Sequence, residues 1–296
     1  SSLGGLDAFI RKYDTHWNVK FTDQFGTNLD DYAKVVCVDA SNNAYVGGTT
    51  TGSLFGSYSG STDAFIRKYR SDGTVLWGDQ FGTSGAEEVY AITTDSSENV
   101  YVGGSTYGSL QGSSLGMSDA FFRKYDSSGN ALMTVQFGSS YSDSLYGIAV
   151  DSSGNIFVSG STASVGQMSS RSIGGMQHVF LRKYGSSGTE VFTVEFGTGS
   201  DYPISCLLSS SGDVFVTGSF RSSSFEGVQS HGWNADSFIS RYDNDGNNVY
   251  HAVFGTTGND VVSGSFLTST GEIYLVGRTD STFTGEYNFG NQDAFL

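Results

Sequence analysis

Apolar and polar residues alternate with period two in four short runs between Asp119 and Thr162, which places successive side chains on opposite faces of strands. Phe121, Arg123 and Tyr125 share one face of the first run. In the second, Leu132, Thr134 and Gln136 oppose Met133, Val135 and Phe137. Both faces carry apolar groups, so each strand is predicted to be covered on two sides. The turns Asp126-Ser-Ser-Gly-Asn130 and Asp151-Ser-Ser-Gly-Asn155 join the first run to the second and Leu145–Val150 to Ile156–Ser161. The Asp can hydrogen-bond turn backbone and the Gly can supply positive φ, which predicts tight hairpins.

This unit is repeated along the chain. Its opening recurs as Asp7-Ala-Phe9, Asp63-Ala-Phe65, Asp119-Ala-Phe121, His178-Val-Phe180, Asp236-Ser-Phe238 and Asp293-Ala-Phe295, at steps of 56, 56, 59, 58 and 57 residues. A four-stranded antiparallel unit at that period predicts an all-β chain, a β-propeller of four-stranded antiparallel blades. A solenoid would need a shorter repeat, and a β-sandwich would need no equal spacing. Segment counting gives six runs of the first kind and five of each other kind, or 21 strands where five blades need 20. The simplest expectation is one propeller domain over residues 1–296, with five blades and the closing blade built from both chain ends.

Composition narrows the function classes. The 15 Lys and Arg face 30 Asp and Glu, a formal net charge of −15, which disfavours nucleic acid as a partner. No window approaches 18 uninterrupted apolar residues, so no membrane span is predicted. The glycine content is high, but aromatics at 14% recur at fixed offsets, unlike disordered chains. Cys37 and Cys206 lie on strands of different copies and are expected to be buried thiols, not a disulfide. Trp17 stands where the first-turn Gly belongs, so that turn is expected to take another geometry.

The run LYGIAVDSSGNIFVSGS (145–161), read with DAFFRKYD, resembles the bacterial-type β-propeller repeat family known as SBBP repeats, over essentially the whole chain. The resemblance implies that Ala33–Val38, Val89–Thr94, Leu145–Val150, Ile204–Leu208 and Val261–Leu267 are innermost and the Gln-Phe-Gly strands outermost. The family is found chiefly in surface and secreted multidomain proteins and implies no common enzymatic activity. His178-Val-Phe180 and Ser240-Arg241 depart from its pattern without breaking the spacing.

Candidate chemistry is sparse. An acid stands five residues before a fixed inner-strand position in every copy: Asp31, Glu87, Asp143, Asp201 and Asp260. The loop reading has each acid capping its own loop or pairing with a repeated arginine, so that calcium or a chelator leaves the melting temperature in place. The ligand reading has the five carboxylates at one mouth of the channel, gathering cations. Asp243-Asn-Asp-Gly-Asn247 resembles half of a calcium loop through Asp243 and Asp245 but lacks the downstream bidentate Glu, and a hairpin is expected. His16, His178, His231 and His251 have no metal-triad spacing, and no Gly-x-Ser-x-Gly elbow is present. The repeated Arg-Lys-Tyr places Arg and Lys on opposite faces, with Arg11, Arg67, Arg123, Arg182 and Arg241 expected to donate between blades. The loops after each fourth run carry Phe55 and Tyr58, Tyr107, Met168 and Met176, Phe225 and Trp233, and Phe283 and Tyr287, which can stack on sugars or tuck back onto the blades.

These features predict no enzyme and no obligatory cofactor, with calcium the one candidate. The leading expectation is a non-catalytic extracellular or cell-surface structural or assembly module, a filament building block. The alternative is a lectin-like propeller binding glycans through the acids and aromatic loops, Trp233 among them. The surplus strand gives the first reading a mechanism. Asp7–Tyr13 and the assembly strand Asp293, Ala294, Phe295 and Leu296 compete for the place beside Ile273–Gly277; either the loser pairs with another copy or continues into a neighbouring module, or the N-terminal segment closes the ring and the last four residues fray.

Overall fold

The computed structural model describes residues 4–163, 168, 177–232, 234–283, 285–287, 290 and 292–296. Among them are 23 strands and no helix. The chain forms two compact units, 1–137 and 138–296.

The first unit opens with β1 (Ala8–Tyr13) and β2 (Val19–Phe25), a two-stranded sheet. Two four-stranded antiparallel sheets follow. One runs β3 (Asp31–Val38), β4 (Ala44–Thr50), β5 (Asp63–Tyr69), β6 (Val75–Phe81); the other runs β7 (Glu87–Thr94), β8 (Val100–Thr106), β9 (Asp119–Tyr125), β10 (Ala131–Phe137). In the second unit β11 (Asp143–Val150), β12 (Ile156–Thr162), β13 (His178–Tyr184) and β14 (Glu190–Phe196) form one such sheet. The next contains β15 (Asp201–Leu208), β16 (Val214–Phe220), β19 (Asp236–Tyr242) and β20 (Asn248–Phe254), with the hairpin β17 (Ser224–Phe225) and β18 (Val228–Gln229) inserted after β16. Last comes a three-stranded sheet, β21 (Asp260–Leu267), β22 (Ile273–Thr279) and β23 (Asp293–Phe295). The sheets headed by β3, β7, β11, β15 and β21 are the five blades of an all-β propeller fold, as the repeat predicts, but the fifth has three strands among the described residues and takes its third from the C-terminal segment, so no strand of the N-terminal segment pairs into it there.

The middle strands of the four-stranded sheets are largely sealed on both faces. In β8, β12, β13 and β16 every residue is buried. Their neighbours make this so: Tyr45 of β4 packs with Val89, Val100, Val102 and Phe121 of the following sheet, so one blade's face is the next blade's core. The Asp-Ser-Ser-Gly-Asn turns are hairpins held by their Asp. Asp126 Oδ1 accepts the Ser128 and Asn130 N–H groups at 2.9 Å each, and Gly129 has φ 90°.

Two features lie outside the sequence expectations. All five pairings of a blade's first strand with its second carry a bulge at the same place, between Ala33 and Val35, Val89 and Ala91, Leu145 and Gly147, Pro203 and Ser205, and Val262 and Gly264. Trp17 does not change the turn geometry. It adopts φ 63°, and its N–H donates to Asp14 O at 3.0 Å just as Gly73 N–H donates to Arg70 O at 2.9 Å. The left-handed well is small but open to an L-residue, so the turn keeps its shape at a cost of about 1–2 kcal/mol.

The place beside β22 is taken by the C-terminal segment: Gly277, Arg278 and Thr279 pair with Phe295, Ala294 and Asp293. Leu296 follows the strand and is exposed. Strand β1 pairs only with β2 among the described residues.

Candidate functional site

The five repeated acids are the first residues of β3, β7, β11, β15 and β21, not loop residues ahead of them, and each is at most 1% exposed. They therefore do not face solvent at an open mouth. Each turns back onto the loop preceding its strand. Thr27 N–H donates to Asp31 Oδ2 (2.6 Å), Thr83 N–H to Glu87 Oε2 (2.7 Å), Ser139 N–H to Asp143 Oδ2 (2.6 Å), Thr198 N–H to Asp201 Oδ2 (2.8 Å) and Thr256 N–H to Asp260 Oδ2 (2.6 Å). In four copies the same Thr or Ser adds its hydroxyl, from 2.8 Å on Glu87 to 3.1 Å on Asp31. Burial pushes the Asp201 carboxyl up to about 6, with the Glu226 charge adding to it against two main-chain donors.

A second set of acids meets the first. The Asp that opens Asp-Ala-Phe begins or immediately precedes its own strand 24 residues before the loop-capping acid, as in Asp63 and Glu87 or Asp236 and Asp260. The two converge over the glycine that follows the last Phe of β2, β6 and β20. A Cβ built on Gly26 would stand 2.7 Å from Asp7 Oδ1 and 2.8 Å from Asp31 Oδ2. On Gly82 it would overlap Asp63 Oδ1 and stand 2.8 Å from Glu87 Oε2. On Gly255 it would overlap Asp236 Oδ1 and stand 3.0 Å from Asp260 Oδ2. Asp63, Asp119 and Asp236 are fully buried, and the fourth copy replaces this acid by buried His178. Sequence reasoning used these Asp residues to set the repeat and missed that they face the other acids.

The remaining candidates separate. Asp243 closes its hairpin through the Asp245 and Asn247 N–H groups (3.0 and 2.8 Å), and the Asn247 side-chain amide, first among its donors, holds its carboxyl below the usual range. No group of three or more His, Cys, Asp or Glu side chains suited to a metal occurs among the described residues. Trp233 and Met176 lie outside the described residues. Phe225 is fully buried and stacks on Phe238 with centroids 4.3 Å apart, and Phe55 packs on Phe25 and Phe65, whereas Tyr107 and Tyr287 are exposed. Cys206 is buried and Cys37 half-buried. Both are free, and burial pushes each thiol up to about 12, which keeps them unreactive.

The basic repeat divides its work. Arg67 and Arg123 reach the preceding sheet, lying 4.4 and 4.6 Å from the Phe25 and Phe81 ring centroids and 3.4 and 3.9 Å from Asp23 and Asp79. Arg11, Arg182 and Arg241 also bond within their own blades, to Thr22, Glu190 and Asp213. The adjacent lysines reach the next turn: Lys12 to Ser71 O (2.9 Å), Lys68 to Ser127 O (3.1 Å) and Lys183 to Asn244 O (2.8 Å).

Repeated antiparallel sheets and repeated bonds between them define a propeller-repeat protein. The model of the SBBP β-propeller repeat matches residues 76–111 and 134–165. It is 25% identical to the regulatory protein FlaEY of Caulobacter vibrioides over 99% of this chain and 35% of that protein. It is 26% identical to an uncharacterised WD repeat-containing protein of Acanthamoeba polyphaga mimivirus over 35% of this chain and 9% of that one. The chain thus spans about a third of the first relative and under a tenth of the second. Among solved structures it is similar to a polysaccharide lyase, an ulvan lyase, at 11% identity and TM-score 0.49 over 92% of this chain and 75% of the other. A mannose phosphorylase from Leishmania mexicana is similar at 12% identity and TM-score 0.38, over 84% and 80%. No helix of the described residues is long and apolar enough to cross a membrane.

Proposed function

We propose that this chain is a non-catalytic structural or assembly module of an extracellular or cell-surface protein, and that it joins a second copy of itself head to tail through β1. The observation that carries this reading is the condition of β1. It has the sequence of a blade's third strand, yet its second edge pairs with no strand among the described residues. The equivalent β5 and β9 pair on that edge along seven residues with β4 and β8. Phe9 of β1 and Val36 and Val38 of β3 are 65%, 62% and 55% exposed. With Ile10, Ala33 and Val46 they line a cleft of about 550 Å³. Strand edges and apolar faces of this kind pair with further strands.

Strand β22 has the sequence such an edge accepts, since its Ile273-Tyr-Leu-Val-Gly matches the pattern of β4 and β8 and only Gly277–Thr279 is paired with β23. A strand supplied at one end and received at the other generates an open chain of copies. Light scattering across a concentration series tests this. The mass should grow with concentration, and Phe9→Lys with Val36→Lys, both at exposed positions, should hold it at one chain. A wild-type mass of one chain at every concentration, or growth untouched by the two lysines, overturns the reading; the former is also the outcome if the chain's own β22 fills the edge.

A further inference from the structure

We propose that the facing carboxylates Asp236 with Asp260, and Asp63 with Glu87, are cation sites, each taking one divalent ion of the oxygen-preferring calcium class. The acids alone would not carry this. What points to a ligand is the state of their oxygens. Asp236 Oδ1, Asp260 Oδ1 and Asp63 Oδ1 are buried and have no hydrogen-bond partner, although their residues are fully buried. Such a group costs more than an ordinary lost hydrogen bond and calls for an ion, a proton or a water.

The other oxygen of each carboxylate decides among these. Asp236 Oδ2 accepts the His231 N–H at 2.5 Å, and Asp260 Oδ2 accepts the Thr256 N–H and hydroxyl at 2.6 and 2.9 Å. Asp63 Oδ2 accepts the Ser59 N–H (3.0 Å) and the Gln80 side-chain amide (2.8 Å), while both Glu87 oxygens are bonded, Oε2 by the Thr83 N–H (2.7 Å) and Oε1 by the hydroxyls of Thr83 (2.8 Å) and Thr106 (2.6 Å), so that Asp63 Oδ1 is the unpartnered atom of this pair. Donors of this kind stabilise the ionised form. Each site is therefore two carboxylates out of water and over one glycine Cα, where a side chain in place of Gly82 or Gly255 would occupy the gap. His231 Nδ1 lies 3.6 Å from Asp236 Oδ2, on the bonded side of that carboxylate. Two such charges are costly together unless a cation stands between them.

The ligands are carboxylates without His or Cys, which suits calcium or magnesium and not zinc. The proposal departs from the expectation, drawn from the loop-capping acids alone, that calcium leaves the melting temperature in place, and the calcium titration decides between the two.

The test uses the whole chain, dialysed against chelator and then titrated with calcium. Retained calcium counted by atomic absorption should be at least two ions per chain, and the melting temperature should climb with calcium concentration. Asp236→Asn should remove one ion and shrink the calcium-dependent rise. In chelator the same variant should melt at or above wild type, because a like charge has gone. Asp63→Asn, in another repeat, should do the same and serves if the first variant fails to fold. No retained calcium overturns the proposal, as does unchanged stoichiometry in a folded variant. A wild-type melting temperature that ignores calcium but rises on acidification from pH 7 to 5 also overturns it, and assigns the orphaned oxygens a shared proton.

Discussion

Strands β4 and β22 are the same element twice, and they end in opposite conditions. Ala44-Tyr-Val-Gly-Gly-Thr-Thr50 is sealed from Tyr45 onward, whereas Ile273-Tyr-Leu-Val-Gly-Arg-Thr279 alternates half-buried and exposed up to Thr279. Tyr45 has no exposed surface and Tyr274 is 50% exposed. Strand sequence does not make this difference. Tyr45 lies among Val89, Val100, Val102 and Phe121 of a following sheet, and no buried cluster of that kind contains Tyr274 among the described residues. A repeat supplies faces, and a neighbour turns faces into core. The β1–β2 pair teaches the same lesson: Ala8 and Phe25 pack on Phe65 and Tyr69 of the next sheet, while Phe9 remains in water.

The largest effect that separates these regions is truncation of a covered aromatic against an uncovered one. Phe65→Ala removes a fully buried ring that packs edge-on to Phe25 at 5.8 Å, and should cost about 3–5 kcal/mol in denaturant unfolding. Tyr274→Ala should cost less than about 1 kcal/mol for a single chain in dilute solution. Equal losses at the two positions would show that β22 is covered in solution, and would break the comparison.

A smaller effect comes from the capping acids. Asp201 has a carboxyl pushed up to about 6 by burial and then by Glu226. Its folded value lies above its unfolded one, so the native state holds the extra proton, and stability falls as pH rises from about 4 to about 6. The full span is on the order of 3 kcal/mol at about 1.4 kcal/mol per unit. Asp201→Asn should flatten the unfolding free energy across that window, and an unchanged slope would assign it to other carboxylates.

How far the sequence could be read follows from what kind of information each feature needs. The 56 to 59 residue step, the Asp-Ser-Ser-Gly-Asn hairpins and the alternation of faces are local, and they set the strands and the propeller class. The five bulges were missed because an extra residue inverts the phase of the alternation, and in strands with apolar residues on both faces that inversion is hard to see. The β17–β18 hairpin left a signal that could have been used: Glu226 and Gly227 have φ 47° and 84°, and a glycine between short apolar runs announces such a turn. The facing acids needed more than pattern. Asp236 and Asp260 were both conspicuous, but their meeting depends on the main chain at Ala235, whose carbonyl accepts the Asp260 N–H at 2.6 Å. That bond joins one sheet's third strand to the next sheet's first, and nothing within either strand encodes it.

The smallest effect concerns one turn in the two-stranded pair set against its counterpart in a complete sheet. Trp17 in the β1–β2 turn and Gly73 in the β5–β6 turn occupy the same position with φ 63° and 93°. A left-handed backbone costs an L-residue about 1–2 kcal/mol, which a glycine avoids. The indole recovers little of this, for it is 82% exposed and touches only the edge of Tyr13, with centroids 6.0 Å apart. Glycine in turn gives up about 0.5–1 kcal/mol through its greater freedom in the unfolded chain. Trp17→Gly should therefore raise stability by up to about 1 kcal/mol, read as a shift in the denaturant midpoint with the slope unchanged. The reverse change, Gly73→Trp, should destabilise by more, because Gly73 lies against the Phe21 ring, 2.9 Å from a built Cβ at its Cβ and Cδ1, and has no open space for a side chain. If Trp17→Gly instead lowers stability by about 1 kcal/mol, the indole is held by a contact formed in solution, and the exposed end of the β1–β2 pair is where to look for it.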